Sequence, residues 1–295
     1  MTFVAGASAH GSPGVSTALQ LVASLWADSS AVPVVVEGDA SGGVLAARYE
    51  VSLMPGFVTL VESLCKSEQP SLLDHAQRLP SGVACVALSP SATAARAQLR
   101  SAGPYLGSYL AQAGHPVLFD AGTVVPDGRA VPVLSAADLL LWFVRPTREE
   151  LLVLRHRLAE CSQPENVAVV LVGDTPYNES QVAEALSVEV LHTLPIDIRG
   201  AAAANLGGDD RYLRRSVLAR SCTELATRIA ARVKTAQSGP ASKRSTGSPN
   251  VQADRRQEPL PPPLAAGELR VWTHDSPSRQ DTNDPPVVVW VNDEN

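Results

Sequence analysis

The sequence predicts an α/β protein in which a doubly wound, mostly parallel sheet of roughly seven or eight strands is flanked by helices. Short apolar runs rich in β-branched residues alternate with helical patterns as far as about residue 235. These runs lack an alternation of polar and apolar residues, as expected for strands that are buried on both faces. Hydrophobic residues make up 45% of the chain and charged residues 18%, which is a globular balance.

Seven runs are interpreted as strands, because each is a short apolar segment bounded by turn-forming or helical sequence. In chain order they are Thr2–Ala5, Val32–Glu37, Val83–Leu88, Pro116–Phe119, Leu139–Val144, Val167–Val172 and Val188–Leu194. Between and after them, apolar residues three and four apart predict amphipathic helices. These are Ser16–Ala27, Gly56–Lys66, Thr93–Ala113, Arg148–Cys161, Ser180–Leu186 and Tyr212–Lys234.

The last predicted helix shows the clearest amphipathic pattern. Its apolar stripe is placed against the sheet, while most of its arginines lie off that stripe, so we expect it to cover the sheet and not a membrane. The stripe consists of Leu213, Val217, Leu218, Cys222, Leu225, Ile229 and Val233.

The composition divides the chain into a domain over residues 1–235 and a linker and tail over 236–295. The second part is rich in Pro, Ser, Gly and charge, so we expect it to be disordered. Residues 286–291 within it have a strand-like composition. This segment could dock on a partner or on an edge of the protein's own sheet, or stay loosely ordered.

Charge and cysteine content exclude several classes of protein. The net charge is −6, which argues against a generally basic nucleic-acid binder. The four cysteines are far apart and are expected to be buried thiols in a reducing compartment, with no metal site. No basic region precedes an apolar run at the N-terminus, and no apolar run is long enough to cross a membrane. We therefore expect a cytoplasmic protein without a membrane span.

A glycine- and serine-rich segment lies between the first predicted strand and the first predicted helix. It reads Ser-Ala-His-Gly-Ser-Pro-Gly-Val-Ser-Thr over residues 8–17. Small residues let backbone amides approach an anion closely, and a hydroxyl at the helix start can cap the helix or reach a metal ion. Spacing alone leaves two alternatives open, an anion-binding loop or an ordinary strand-to-helix loop.

The segment resembles the deviant Walker A loop of the ParA/MinD family of P-loop ATPases, whose pattern is K-G-G-x-G-K-S/T. Both framing glycines, Gly11 and Gly14, match, and so does the hydroxyl residue Ser16. The two lysines do not match, because His10 and Val15 stand in their places. The resemblance implies a P-loop NTPase fold and an ATP or ADP site with Mg²⁺. The implied nucleotide-binding residues are Gly11, Ser12, Pro13, Gly14, Val15, Ser16, Thr17, Asp174 and Asp197.

Acidic residues after two further strands resemble other landmarks of that family. Glu37 and Asp39 stand at the family's second strand and its acidic turn, and Asp120 stands at the Walker B position. The resemblance implies catalytic roles for these three, and metal contacts for Ser16, Asp39 and Asp120. Alternatives remain open: Glu37 could be a buried-edge carboxylate, and the aspartates, including Asp174 and Asp197, could cap turns.

The missing lysines decide the functional expectation. Losing one charged hydrogen bond to phosphate weakens binding roughly 10–100-fold, and losing a preorganised donor slows a reaction about 10²–10³-fold. Arg48, Arg145 and Arg199 follow predicted strands and are candidates to replace a lysine. We expect a weak or inactive ATPase that acts as a regulatory or positioning protein in chromosome partitioning, cell division, or secretion and pilus assembly.

Two alternatives remain at this point. One is an active ATPase with a substitute arginine or a cation from a partner, and the other is a nucleotide-free interaction scaffold. The resemblance also implies a homodimer and protein partners.

Overall fold

The computed structural model describes residues 2–11, 13–26, 32–66, 70–124, 131–160, 166–206 and 211–238. Within these ranges, eight strands form one sheet in the order β3-β4-β2-β5-β1-β6-β7-β8. All neighbouring strands are parallel except β3 and β4, which are antiparallel. The predicted doubly wound sheet is confirmed. The predicted tail over 236–295 lies outside the described residues except for 236–238.

The strands are short and largely buried. They are β1 (Phe3–Ser8), β2 (Val34–Glu37), β3 (Gln77–Arg78), β4 (Ala84–Val86), β5 (Val117–Thr123), β6 (Leu139–Val144), β7 (Val167–Val172) and β8 (Val190–Leu194). The helices are α1 (Val15–Ser24), α2 (Leu45–Tyr49), α3 (Phe57–Cys65), α4 (Ala92–Ala111), α5 (Val131–Leu134), α6 (Arg148–Glu160), α7 (Glu179–Leu186), α8 (Ile198–Asn205) and α9 (Val217–Ser238).

The bounds of β6 and β7 agree with the prediction to the residue, while four described elements were not predicted. Strand β3 has only two residues, and α2 and α5 have five and four, too few to show a period. Helix α8 has the sequence IRGAAAAN, whose alanines carry little apolar contrast. The last helix begins at Val217 and not at Tyr212, because a 3-10 turn over Leu213–Arg215 precedes it.

The sheet separates two layers of helices, each with its own core. Helices α3 to α7 pack on one face, where Phe57, Leu99 and Leu154 are buried against the sheet. Helices α1, α2, α8 and α9 contribute to the core on the other face. Helix α1 approaches β1 closely, because a Cβ on Gly6 would lie 2.9 Å from Cδ1 of Leu19. Helix α1 therefore packs directly on β1 at Gly6.

The apolar stripe of α9 is confirmed in its central part. Cys222, Leu225 and Ile229 are fully buried in the core that α1 shares, whereas Val217 is 48% exposed. The prediction of buried cysteines holds for Cys85 and Cys222 and is wrong for Cys65, which is exposed at the end of α3. Across the described residues, no helix is both long enough and apolar enough to cross a bilayer.

We expect Leu225→Ala to lower the free energy of unfolding by about 2–5 kcal/mol, because it leaves a cavity under α9. Urea-induced unfolding followed by circular dichroism measures the change. Thr227→Ala, on the exposed face of the same helix, is the matched control and should change the value by less than about 0.5 kcal/mol. Equal effects of both substitutions would contradict the placement of α9.

Candidate functional site

The loop between β1 and α1 lies at the edge of the sheet where the parallel strands end. Strand β1 is central and pairs with β5 on one side and β6 on the other. At its last residue, Ser8 is in register with Thr123 of β5 and with Phe143 of β6. Ligands of doubly wound folds bind at this edge, where the strand order reverses.

The backbone of this loop has the form of an anion cradle. Gly11 and Gly14 have φ of 65° and 99°, a left-handed conformation that a residue with a side chain adopts only under strain. Gly14 is the N-cap of α1, and no side chain caps that helix end. The first amides of α1 therefore point outward without an intrahelical acceptor, and the helix dipole favours a negative charge there.

Two hydroxyl groups anchor the loop to the sheet. The Thr123 hydroxyl donates to the carbonyl of Gly11 at 2.9 Å, and the buried Ser8 hydroxyl lies 3.1 Å from Thr123 Oγ1. Ser8 Oγ is also 3.3 Å from the Gly11 carbonyl. The conformation at Gly11 is thus held from the ends of β1 and β5.

Ser16 and Asp120, two of the three residues that the resemblance implies for a metal, meet beneath the loop; their role as metal ligands remains a prediction. The Ser16 hydroxyl donates to the carboxylate of Asp120, which also accepts the Gly122 amide at 3.0 Å. Asp120 is 2% exposed, and this burial raises its pKa from 3.8 to about 6, helped by the nearby charges of Glu37 and Asp39. Glu37 and Asp120 are thus buried at this edge of the sheet, with the partly buried Asp39 beside them.

Asp39 lies next to that pair, at the loop that follows β2. Its Oδ1 accepts the Ser41 amide at 2.7 Å, which makes an Asx turn. Its Oδ2 packs so closely on Gly122 that a Cβ there would overlap it. Gly122, with φ of 59°, is therefore required for Asp39 to reach the site.

Glu37 is placed differently from the two aspartates, because both its oxygens are occupied by backbone amides. Oε1 accepts from Val44 at 2.7 Å and Leu45 at 2.9 Å, and Oε2 accepts from Leu88 at 3.0 Å. Burial raises the pKa of Glu37, and the three amides oppose that effect. The carboxylate ties the end of β2 to the start of α2 and to the segment after β4. The catalytic role expected from the sequence remains a prediction.

Val15 and His10, which stand at the two lysine positions of the Walker pattern, have different surroundings. Val15 is 5% exposed and packs in the core that contains α9, so its side chain is absent from the loop's open face. His10 is exposed. The Thr17 hydroxyl donates to Asn205 Oδ1 at 3.2 Å, which links α1 to α8. Ser12 lies outside the described residues.

One of the three arginines considered from the sequence lies beside the loop. Arg145 directly follows β6, and a Cβ on Gly11 would lie 2.9 Å from Arg145 Nη2. Its Nε donates to Glu150 Oε1 at 2.6 Å, and its backbone amide donates to Glu150 Oε2 at 2.9 Å. Arg48 instead neighbours Glu37 and Tyr49, and Arg199 lies 6.0 Å from the ring centroid of Tyr212.

A pocket of about 190 Å³ adjoins the other end of the loop. Its walls are mainly apolar and come from the loop, α1, and the segments after β7 and β8, including Pro13, Thr17, Val172 and Ile196. Asp197 also lines it, but its carboxylate caps α8 by accepting the Gly200 amide at 2.8 Å.

The two aspartates expected to contact nucleotide thus have different surroundings. Asp174 is exposed and is not among the residues that line the pocket. For Asp197, the capping alternative matches the hydrogen bonds, since its Oδ2 also accepts the Leu218 amide at 3.3 Å. The nucleotide contacts of both residues remain predictions.

The donors at the site suit Mg²⁺, the ion that the resemblance implies. A hydroxyl and one or two carboxylates, completed by phosphate and water, are the oxygen ligands that Mg²⁺ takes at such sites. Ser16, Asp39 and Asp120 supply that set, and the buried negative charge favours a cation. No group of three or more His, Cys, Asp or Glu among the described residues is arranged as a self-sufficient metal cage.

Glu150, Ser8 and Thr123 were not singled out from the sequence. Glu150 had a readable signal, because Thr147 and Glu150 form the T-x-x-E pattern of a capping box at the start of α6. The Glu150 amide donates to Thr147 Oγ1 at 3.4 Å. For Ser8 and Thr123 the signal is absent, since their contact depends on strand register across the sheet.

We expect the unfolding free energy to depend on pH through Asp120. With its pKa near 6 in the folded state and 3.8 as the ordinary value, the folded protein binds more protons between these pH values. The contribution of Asp120 to the free energy of unfolding is therefore fully present below about pH 4. It is lost, by about 3 kcal/mol in total, as the pH rises through 6. Asp120→Asn should gain stability relative to wild type over that interval.

Urea unfolding with EDTA present, from pH 4 to 7.5, measures this effect. Asp174→Asn, a substitution of an exposed aspartate, is the control and should show a constant difference from wild type. A constant difference for Asp120→Asn as well would contradict the raised pKa.

We expect Glu37→Ala to lower the free energy of unfolding by at least about 3 kcal/mol, since it leaves three amides without an acceptor. Urea unfolding without nucleotide provides the measurement, with the exposed Glu62→Ala as control. A Glu37→Ala protein of normal stability that has lost only nucleotide hydrolysis would favour the catalytic role instead.

The fold is similar to solved structures of ParA and MinD proteins. A ParA family ATPase from Chlorobium tepidum TLS is 17% identical with a TM-score of 0.64, and the match covers 77% of this chain and 98% of that one. MinD from Pyrococcus horikoshii OT3, complexed with Mg-ADP, is 14% identical with a TM-score of 0.61. That match covers 80% of this chain and 99% of that one. The MinC:MinD cell division protein complex from Aquifex aeolicus is 10% identical with a TM-score of 0.56, and the match covers 78% of this chain and 96% of that one.

No protein-family profile and no curated protein sequence matches the chain. At these identities the structural likeness concerns the fold. The chain has a ParA/MinD-like P-loop ATPase fold, as the loop, the acidic turn and the Walker B strand of the sequence predicted.

Proposed function

We propose that this protein binds Mg·nucleotide at the β1–α1 loop, hydrolyses it slowly or not at all, and acts as a regulatory or positioning module. The observation that carries the proposal is the combination of left-handed Gly11 and Gly14 and an uncapped start of α1 with a buried Val15 at the lysine position. The cradle is the part of a P-loop that recognises phosphate through its backbone. The lysine is the part that adds a positive charge.

Phosphate binding is supported by backbone geometry that does not depend on lysine. Left-handed Gly11 and Gly14 shape the loop, and the uncapped start of α1 offers amide donors. Ser16 stands at the first turn with its hydroxyl on Asp120. When bound, Mg²⁺ would neutralise charge on the phosphates and on the buried carboxylates.

The pocket beside the loop suits a flat, largely apolar ring. It is about 190 Å³ in volume, smaller than the roughly 300–1,000 Å³ of pockets for whole drug-sized ligands. Since the Asp197 carboxylate caps α8, the base would be held mainly by apolar contact with Pro13 and Ile196. Base selectivity should accordingly be low.

Slow hydrolysis follows from the missing donor. Val15 cannot donate to a transferring phosphoryl group, and its burial keeps it from the loop's open face. The loss of one preorganised donor slows reactions by about 10²–10³-fold. A protein of this kind is suited to a nucleotide-dependent state and not to rapid turnover.

A second candidate function, an active ATPase with a substitute arginine, is favoured by the position of Arg145 beside Gly11. Under this alternative the arginine replaces the charge that the two lysines supply in the family pattern. Steady-state phosphate release separates the two functions.

The similar solved structures suggest a class of cellular roles for this protein, without a specific cargo. They include a ParA family ATPase and a MinC:MinD cell division complex. We propose a role in chromosome partitioning, cell division, or secretion and pilus assembly, carried out with protein partners and as a homodimer.

Calorimetry with Mg·ATP and Mg·ADP, together with thermal unfolding, tests the binding. We expect both nucleotides to raise the unfolding temperature, because each binds only the native state. Ser16→Ala should weaken binding roughly tenfold through the loss of a hydroxyl contact. Ser180→Ala, at an exposed position of α7, is the matched control and should bind as wild type does.

Phosphate release over hours tests the slow hydrolysis. Turnover as fast as that of an ordinary partitioning ATPase, abolished by Ser16→Ala, would favour the second candidate. No binding of either nucleotide to the wild-type chain would contradict the proposal and leave the scaffold alternative.

A further inference from the structure

We propose that Arg145 is a phosphate-binding residue of this site and that Glu150 positions it. This inference rests on the proposed function, since it names a side chain that would contribute to nucleotide binding at the same loop. The observation behind it is the contact between Arg145 and the loop, where a Cβ on Gly11 would lie 2.9 Å from Nη2.

The fold brings Arg145 to the loop from a neighbouring strand. Strand β6 pairs in parallel with β1, with Phe143 opposite Ser8. Two residues after Phe143, the chain leaves the sheet at Arg145, directly beside the loop that leaves β1. A cation just after β6 therefore reaches the loop from the side, whereas a lysine at position 15 would reach it from α1.

Glu150 fixes the orientation of the arginine. It is buried, and its two oxygens accept from the Arg145 side chain at 2.6 Å and from the Arg145 backbone at 2.9 Å. Glu150 is itself held at the first turn of α6, where its amide donates to Thr147. Because the carboxylate takes the Nε edge, the two terminal nitrogens remain available.

Those terminal nitrogens are accessible to a ligand. The Arg145 side chain is 46% exposed, whereas that of Glu150 is 8% exposed. Among contacts with the described residues, neither Nη1 nor Nη2 makes a hydrogen bond. A planar guanidinium offers donors in a fork that fits phosphate oxygens, which a single ammonium group does not.

The neighbouring carboxylate limits the strength of the interaction. Glu150 Oε1 lies 4.0 Å from a Cβ built on Gly11, so the loop also faces a negative charge. The arginine–glutamate pair is neutral as a unit and attracts phosphate mainly through directed hydrogen bonds. We therefore expect a contribution at the level of a charged hydrogen bond and no more.

Titration of the full-length chain with Mg·ATP, Mg·ADP and Mg·AMP tests the proposal. We expect Arg145→Gln to weaken Mg·ATP binding about 10–100-fold, and AMP binding far less, since the arginine acts on the phosphate tail. Arg148→Gln, an exposed arginine three residues away, should bind all three nucleotides within twofold of wild type. Arg145→Lys should fall between wild type and Arg145→Gln.

Glu150→Gln separates positioning from simple charge. The substitution removes the negative charge beside the loop, so an effect of charge alone would strengthen ATP binding. If Glu150 positions Arg145, ATP binding weakens instead, and the difference between ATP and AMP shrinks. Unfolding midpoints without nucleotide show whether each variant is folded, and Arg145→Lys stands in should Arg145→Gln fail to fold.

The outcomes distinguish this inference from the proposed function. If wild type binds ATP and Arg145→Gln binds equally well, the inference is wrong and the proposed function stands. Equal losses for ATP and AMP would also overturn it, because they indicate a general effect on the fold. A wild-type chain that binds no nucleotide would overturn both.

Discussion

The structure of this site depends on the parallel pairing of β1 between β5 and β6. That register places Ser8, Thr123 and Phe143 side by side where the strands end. The loop after β1 is consequently anchored by hydroxyl groups from β1 and β5 and approached by an arginine that follows β6. Local sequence shapes the loop through its glycines, but the sheet supplies the groups around it.

The same edge of the sheet also carries buried negative charge. The pKa values of Glu37 and Asp120 are both raised by burial, and neighbouring carboxylates add to the effect at Asp120. Three backbone amides donate to Glu37 and oppose the effect of burial, and they link its carboxylate to the start of α2 and the segment after β4. Among the described residues, Asp120 accepts from one hydroxyl and one amide, and it is the carboxylate on which a cation would have the largest effect.

The sequence was sufficient for the parts of the fold whose signals are local. Strands such as Leu139–Val144 are continuous apolar runs, and the Gly11–Gly14 loop has the composition that its conformation requires. It was insufficient where the answer depends on register or helix phase. Three arginines follow predicted strands, but the contact of Arg145 with Gly11 arises from the pairing of β6 with β1. Val15 could be recognised as a missing lysine, but its burial depends on how α1 packs.

The burial of Val15 and the exposure of Arg145 together describe a different distribution of charge from that of the Walker pattern. In the Walker pattern the positive charge comes from a lysine on α1, whereas here Arg145 is paired with Glu150. Part of the hydrogen-bonding capacity of Arg145 is thus used without a ligand, so less is gained from its charge when phosphate binds. That balance favours weak binding with little strain on the empty state. Under the proposed function, occupancy of the loop would then follow the nucleotide concentration instead of being saturated at all times.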